Sequence, residues 1–388
     1  MRIIGADQYG QYSLLLSQCN LIVALGFGWL NQAQLRYYSK HSIYGFYKNS
    51  QLKSLFYSLM FCLMILSISI VYQNLSFAKW IISIVTIIAI GSFNYIKTYY
   101  QAKLMPKKII YLTTLQSLLS LLLPLVLIFF LGNNTIPLMV GIALSFLLGS
   151  FIICGDDIVK ISYQSLKNSF SKKPQLIKKW FMYGSPLSIW FAAGLALPFL
   201  DRYFINHYLQ STELGIFASL QEILVRSFSL TIFPFTLALH PRIMILWNKE
   251  KFQEALHLIL KSFYIILGIG SLILLIAWNF EDIMFLLLNT AVPEFDVQSK
   301  KLILPLLSAG FLWQLSFLTH KMLELKEQTI LMIVAIGPSL IINIIGNNHF
   351  LPVYGEIATA YSSFFSALSY CIITGIHFMY YAIKIRMA

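Results

Sequence analysis

The chain has 388 residues, 58% of them hydrophobic and 11% charged, with a mean hydropathy of +0.73. That composition excludes an ordinary soluble globular protein. The formal net charge of +13 would suggest a nucleic-acid partner in a soluble chain, but here membrane topology accounts for it and no nucleic acid is expected.

Apolar runs of about 20 residues, the helical length that crosses a bilayer core of ~30 Å, recur from end to end. Helices satisfy their own backbone in lipid, so the sequence predicts an all-α integral membrane protein. Eleven spans follow in chain order, at 11–35, 54–73, 77–97, 109–131, 136–154, 181–206, 213–240, 258–279, 302–320, 328–346 and 356–383. Breaks are expected at "KLMPKK" (103–108), "LGNNTIP" (131–137) and "NNHFLPVYGE" (347–356), where Asn, Gly and Pro interrupt helical runs. No connection is long enough for a separate soluble domain.

The basic residues alternate from side to side. Of 28, 21 fall in every second connection, among them Arg36 and Lys53, Lys97 to Lys108, Lys160 to Lys179, Arg242 to Lys251, Lys321 and Lys326, and Lys384 and Arg386. Arg2, Lys79, Lys300 and Lys301 stand on the other side, while Arg202, Arg226 and Lys261 lie within or at the edges of spans. The positive-inside rule therefore puts the C-terminus in the cytoplasm and residue 1 outside. An outside start suggests that one helix should precede residue 1. Trp80, Trp180, Trp247 and Trp278, near span ends, fit an aromatic belt.

In the first span Gln18, Asn20, Asn31, Gln32, Gln34 and Arg36 make a polar half, open to two accounts: a cavity lining or hydrogen bonding between helices. The glycines of "GFGWLN" (26–31) follow no strand, so they make no nucleotide site, and no Walker motif occurs. Cys19, Cys62, Cys154 and Cys371 sit singly in apolar runs, as packed thiols do. No cofactor and no metal are expected.

"LALPFLDRYFINHYL" (195–209) places Asp201 and Arg202 side by side in an apolar run. An ionised group at the bilayer centre costs ~2.5 to 3.5 kcal/mol on insertion scales, so it faces a wet cavity or a partner. The next span supplies Glu222 and Arg226, four apart on one face with the acid first, the favourable order for a pair. The four are expected either to line a cavity, where guanidinium groups suit a diphosphate, or to tie the hairpin together by ion pairs such as Asp201 with Arg226 or Arg202 with Glu222.

An internal repeat is visible. "ADQYGQYSLL" (6–15) lines up with "STELGIFASL" (211–220), matching Gly10 with Gly215 and Tyr12 with Phe217, and Asp7 with Glu213 one residue displaced. A weaker match sets "IPLMVGIALS" (136–145) against "LPVYGEIATA" (351–360). Two copies in the same orientation predict parallel six-helix lobes around a central cavity: an N-terminal lobe at 1–155 with five visible spans, a basic cytoplasmic linker at 156–180, and a C-terminal lobe at 181–388.

At "IIGADQYGQYSLLLS" (3–17), "YGSPLSIW" (183–190), "LDRYFINHYLQSTELGIFA" (200–218) and "FLPVYGEIATAYSS" (350–363), the chain resembles the Wzx-type polysaccharide and O-antigen flippases of the multidrug/oligosaccharidyl-lipid/polysaccharide exporter superfamily. The resemblance implies twelve helices in two lobes, in the bacterial cytoplasmic membrane. It implies transfer by alternating access of undecaprenyl-diphosphate-linked sugar repeat units, for O-antigen, lipopolysaccharide or capsular polysaccharide synthesis. The partners are then the lipid-linked oligosaccharide and the bilayer, with an H+ or Na+ gradient and a glycan polymerase complex left open. Asp201, Arg202, Glu222, Arg226 and Arg36 are the substrate-binding candidates. Family members carry a helix before "IIGADQYG", so the resemblance implies a first helix of lobe one that is expected to be missing here.

Two other readings compete. An ion-coupled small-molecule exporter would share the fold. A membrane glycan polymerase or ligase would need a catalytic outer connection, and the longest, 280–301, offers Glu281, Asp282, Glu294 and Asp296 with two lysines but no His or Arg. The expectation is therefore a transporter and not an enzyme.

Overall fold

The structure, a computed structural model, describes residues 3–37, 44–73, 76–167, 174–292, 295–297 and 299–387. Thirteen α-helices are found among the described residues, with no strand. They are α1 Ala6–Tyr37, α2 Tyr44–Gln73, α3 Phe77–Ala102, α4 Pro106–Leu131, α5 Thr135–Lys167, α6 Pro174–Tyr208, α7 Ser211–Asn248, α8 Phe252–Asn279, α9 Glu281–Ala291, α10 Ile303–Thr319, α11 Lys321–Leu325, α12 Thr329–Tyr354 and α13 Glu356–Met387. Each of the eleven sequence spans coincides with one helix. Nine helical stretches among the described residues are long and apolar enough to cross a membrane, and α2 adds the shorter apolar stretch Lys53–Ser69. The protein is a multi-pass membrane protein.

Helix ends follow local chemistry. Ser76 caps α3 by accepting from the Lys79 amide, Pro106 opens α4 where its missing N–H costs nothing, and Gly132 closes α4 at φ 88°. Three readings change. The stretch "NNHFLPVYGE" is helical as far as Tyr354 and breaks only at Gly355, φ 68°, with the Asn347 amide spent on Asp201 inside the bundle. The connection 280–301 contains α9, whose first-turn Glu281 and Asp282 suit a helix N-terminus and pair with Lys300 at 3.5 and 2.7 Å. Most of 156–180 continues α5 and α6, with 168–173 outside the described residues.

The described chain forms two compact units, Met1–Ser13 with Ala196–Ala388, and Leu14–Leu195. This division follows packing, whereas boundaries at 155 and 180 follow the sequence repeat. In the Leu14–Leu195 unit α5 packs on α3 and α4, with the Phe93 and Phe146 rings edge-on at 5.1 Å. At its other flank Trp29, Leu30, Ala33 and Tyr37 of α1 close around Trp180, which is 1% exposed and so belongs to the core rather than to an aromatic belt. Gly28 and Gly184 let α1 and α6 touch: a Cβ on Gly28 would lie 2.6 Å from Ser188 Oγ, and one on Gly184 2.0 Å from the Trp29 carbonyl. The "GFG" glycines thus serve helix packing. Cys19 and Cys62 are buried as expected and Cys371 is half-buried, while the Cys154 side chain lies outside the described residues.

The second unit is centred on α13, which packs on α10 and α12, with α7 on the far side of α10. The repeat glycines Gly10 and Gly215 meet within this unit. A Cβ on Gly10 would sit 2.5 Å from the Ser211 carbonyl, and one on Gly215 2.0 Å from the Ala6 carbonyl. Only glycine fits on either side of that backbone crossing.

Candidate functional site

Two hairpins build a buried polar site inside the unit that contains Ala196–Ala388. In the first, Asp201 lies nine residues before Gln210 and Gln221 eleven after it, so a rise of ~1.5 Å per residue brings them to nearly one depth. In the second, Asn347 lies eight residues before Gly355 and Ser363 eight after it, with Asn343 one turn further along the same face of α12. Four side chains then converge on one carboxylate.

Asp201 is 1% exposed. Its Oδ1 accepts from Asn343 Nδ2 at 2.8 Å and Asn347 Nδ2 at 3.2 Å, and its Oδ2 accepts from Gln221 Nε2 at 3.0 Å and from the Ser363 hydroxyl. These bonds are what permits a carboxylate in an apolar bundle. The Asn347 Oδ1 atom is buried and has no hydrogen-bond partner.

Arg202 points the other way, as the ~100° step between adjacent helical residues requires. It donates through Nη2 to Glu222 Oε1 at 2.8 Å and Gln221 Oε1 at 3.2 Å, and through Nη1 to the Ser13 carbonyl at 3.3 Å. Gln221 therefore joins two charges that do not touch each other. Glu222 also pairs with Arg226 one turn along α7, and the Arg226 side chain is 71% exposed while that of Arg202 is 8% exposed. Of the two ion pairs anticipated for the hairpin, Arg202 with Glu222 forms. Asp201 takes neutral donors in place of Arg226.

Four of the five candidates are thus brought together. Arg36 is not one of them: it ends α1 in the Leu14–Leu195 unit, its guanidinium 4.2 Å from the centre of the Tyr183 ring. Sequence reasoning missed Gln221, Asn343, Asn347 and Ser363. The available signal was the i, i+4 spacing of Asn343 and Asn347 and the near-mirror placement of Asn347 and Ser363 about Gly355. Among the described residues no group of three or more His, Cys, Asp and Glu is placed to hold a metal.

Comparison with known proteins gives fold and family. An inward-facing multidrug resistance MATE family transporter of the MOP superfamily superposes with a TM-score of 0.70 at 14% identity, over 99% of this chain and 91% of that one. An outward-facing MATE transporter of the same superfamily gives 0.60 at 15%, over 95% and 86%. A MATE structure in the bent conformation gives 0.61 at 14%, over 100% and 95%. At such identities these matches establish the fold alone. No curated protein matches the chain. The sequence profile described as "Polysaccharide biosynthesis protein" matches residues 1–247, more than half the chain. With a fold like that of the MATE transporters, and in line with the flippase resemblance read from its sequence, this chain belongs to the polysaccharide biosynthesis protein family.

Proposed function

We propose that this membrane transporter is a flippase that moves undecaprenyl-diphosphate-linked oligosaccharide units across the bacterial cytoplasmic membrane by alternating access. Its two repeat-related lobes are 1–155 and 181–388, and its C-terminus is cytoplasmic. The polysaccharide biosynthesis family supports a glycan substrate, and the alternation of basic residues supports the orientation. The observation that carries the site is the gradient of exposure along one network, from buried Asp201 through Gln221, Arg202 and Glu222 to the exposed Arg226. Arg226 has donors left for a ligand and its planar fork suits a diphosphate. Arg202 is committed to its neighbours and acts as a positioning residue.

The test is Arg226→Ala in a flippase-deficient strain. Surface glycan should be lost with protein level unchanged, and Arg226→Lys should restore part of it. A fall in abundance alone would make the pair structural.

The same network supports a second reading, coupling to H+ or Na+ at Asp201. Oxygen atoms of Asp201, Asn343, Asn347 and Ser363 lie within one cluster, and a hard monovalent cation takes oxygen ligands. An ion-coupled exporter of another substrate would need the same group. Transport that depends on Na+ or on a pH gradient in the wild type, and loses that dependence in Asp201→Asn, selects coupling. Transport of lipid-linked glycan against transport of small cations decides the substrate.

A further inference from the structure

The α7–α8 hairpin turns through Lys249, Glu250 and Lys251 and has two unlike faces. One face is core: Ile243, Leu256 and Ile259 are buried against Met322 and Phe378. On another face Arg242, His257 and Lys261 line an open cavity of about 750 Å³ whose apolar lining includes Ile245, Leu246 and Leu258.

The placement of the Arg242 and Lys261 cations is costly without a partner. Arg242 lies six residues, roughly 9 Å, inside the end of α7, and Lys261 nine residues, roughly 14 Å, inside α8. His257 and Lys261 are four apart and share a face. The carboxylate beside them, Glu254, is already paired with Lys251 at 2.7 Å. Long cationic side chains at this depth reach toward the level of the lipid phosphates, and basic pockets between helices on the cytoplasmic side accept anionic headgroups.

We propose that this cavity is a binding site for an anionic phospholipid of the bilayer, with its phosphate among Arg242, His257 and Lys261 and an acyl chain along Ile245, Leu246 and Leu258. A free phosphate would use these polar side chains and leave the apolar wall bare. The site is separate from the proposed flippase site: Arg242 lies 16 residues, roughly 24 Å, along α7 from Arg226. The orientation proposed above places the bound lipid in the inner leaflet, while the binding itself does not rest on the transport reading.

The experiment is native mass spectrometry of the full chain in detergent, titrated with phosphatidylglycerol, phosphatidylcholine or undecaprenyl diphosphate. The wild type should retain phosphatidylglycerol about tenfold over phosphatidylcholine, with ~1 kcal/mol per basic residue as the scale. The triple variant Arg242→Gln, His257→Gln, Lys261→Gln should lose that preference. Leu258→Trp, which keeps the charges and fills the apolar wall, should also weaken retention, so a folding failure of the triple variant leaves the proposal testable. Arg226→Ala should keep the preference, which separates this site's failure from that of the flippase reading. Equal retention of the two phospholipids by the wild type overturns the proposal, as does an unchanged preference in both cavity variants. So does displacement of phosphatidylglycerol by undecaprenyl diphosphate that phosphatidylglycerol cannot reverse.

Discussion

The two compact units bury polar groups of different kinds. In the Leu14–Leu195 unit the fully buried polar side chains among the described residues are neutral, such as Gln18, Ser83, Thr86, Ser145 and Ser188. Most of those with a described partner bond to helix backbone, as Ser188 does to the Ala24 carbonyl at 2.7 Å and Thr86 to that of Ile82. In the other unit Asp201 and Arg202 are buried with their charges. A neutral hydroxyl that bonds to its own helix costs little to bury, whereas a buried charge must be met from several elements at once. The difference locates the buried charges in the unit that contains Ala196–Ala388.

That contrast can be tested by removal, from the largest expected effect downward. Asp201→Ala should cost about 3 kcal/mol, because Asn343, Asn347, Gln221 and Ser363 lose one acceptor together. Thermal unfolding in detergent would read it, and a cost as small as that of a neutral site would erase the distinction between the units. Gly215→Ala should cost about 1 to 3 kcal/mol by forcing apart the crossing at Ala6, with faster proteolysis of the N-terminal segment as the readout.

Ser188→Ala, in the neutral unit, should cost only ~0.6 kcal/mol, the usual scale of one hydrogen bond between membrane helices. A loss as large as at Asp201 would mean that the neutral unit is held as tightly as the charged one. Arg226→Ala should be the mildest for stability, below ~0.5 kcal/mol, since an exposed pair contributes little. It should nevertheless stop glycan export, so that stability and transport separate at this one position.

Length and hydropathy made the helices legible, because a span needs about 20 apolar residues and little else. Charge made half of the site legible: Asp201, Arg202, Glu222 and Arg226 are conspicuous where ionised groups are expensive. Their partners were hidden by being neutral. Asn347, in "NNHFLPVYGE", read as turn chemistry, since isolated Asn and Pro carry that statistic whatever their tertiary contacts. Only the fold, which sets α12 beside α6, turns Asn343 and Asn347 into donors for Asp201. Arg36 failed to join the group for the complementary reason: a basic residue at a helix end has many inexpensive placements, and a tyrosine ring is one of them.

Gln221 has a consequence of its own. Its amide is asymmetric, with Nε2 turned to the acid and Oε1 to the guanidinium, and only one of its two orientations suits both neighbours. Rotated by half a turn it would present oxygen to carboxylate and hydrogen to cation, and both bonds would become repulsions. The side chain is therefore a sign detector. Neutralising Asp201 by one proton would let the carboxyl group donate as well as accept, so the amide would be held in its orientation by Arg202 alone. A change of charge on α6 would thereby reach Arg202, and with it the grip of Arg202 on Ser13, without any residue having to move along the membrane.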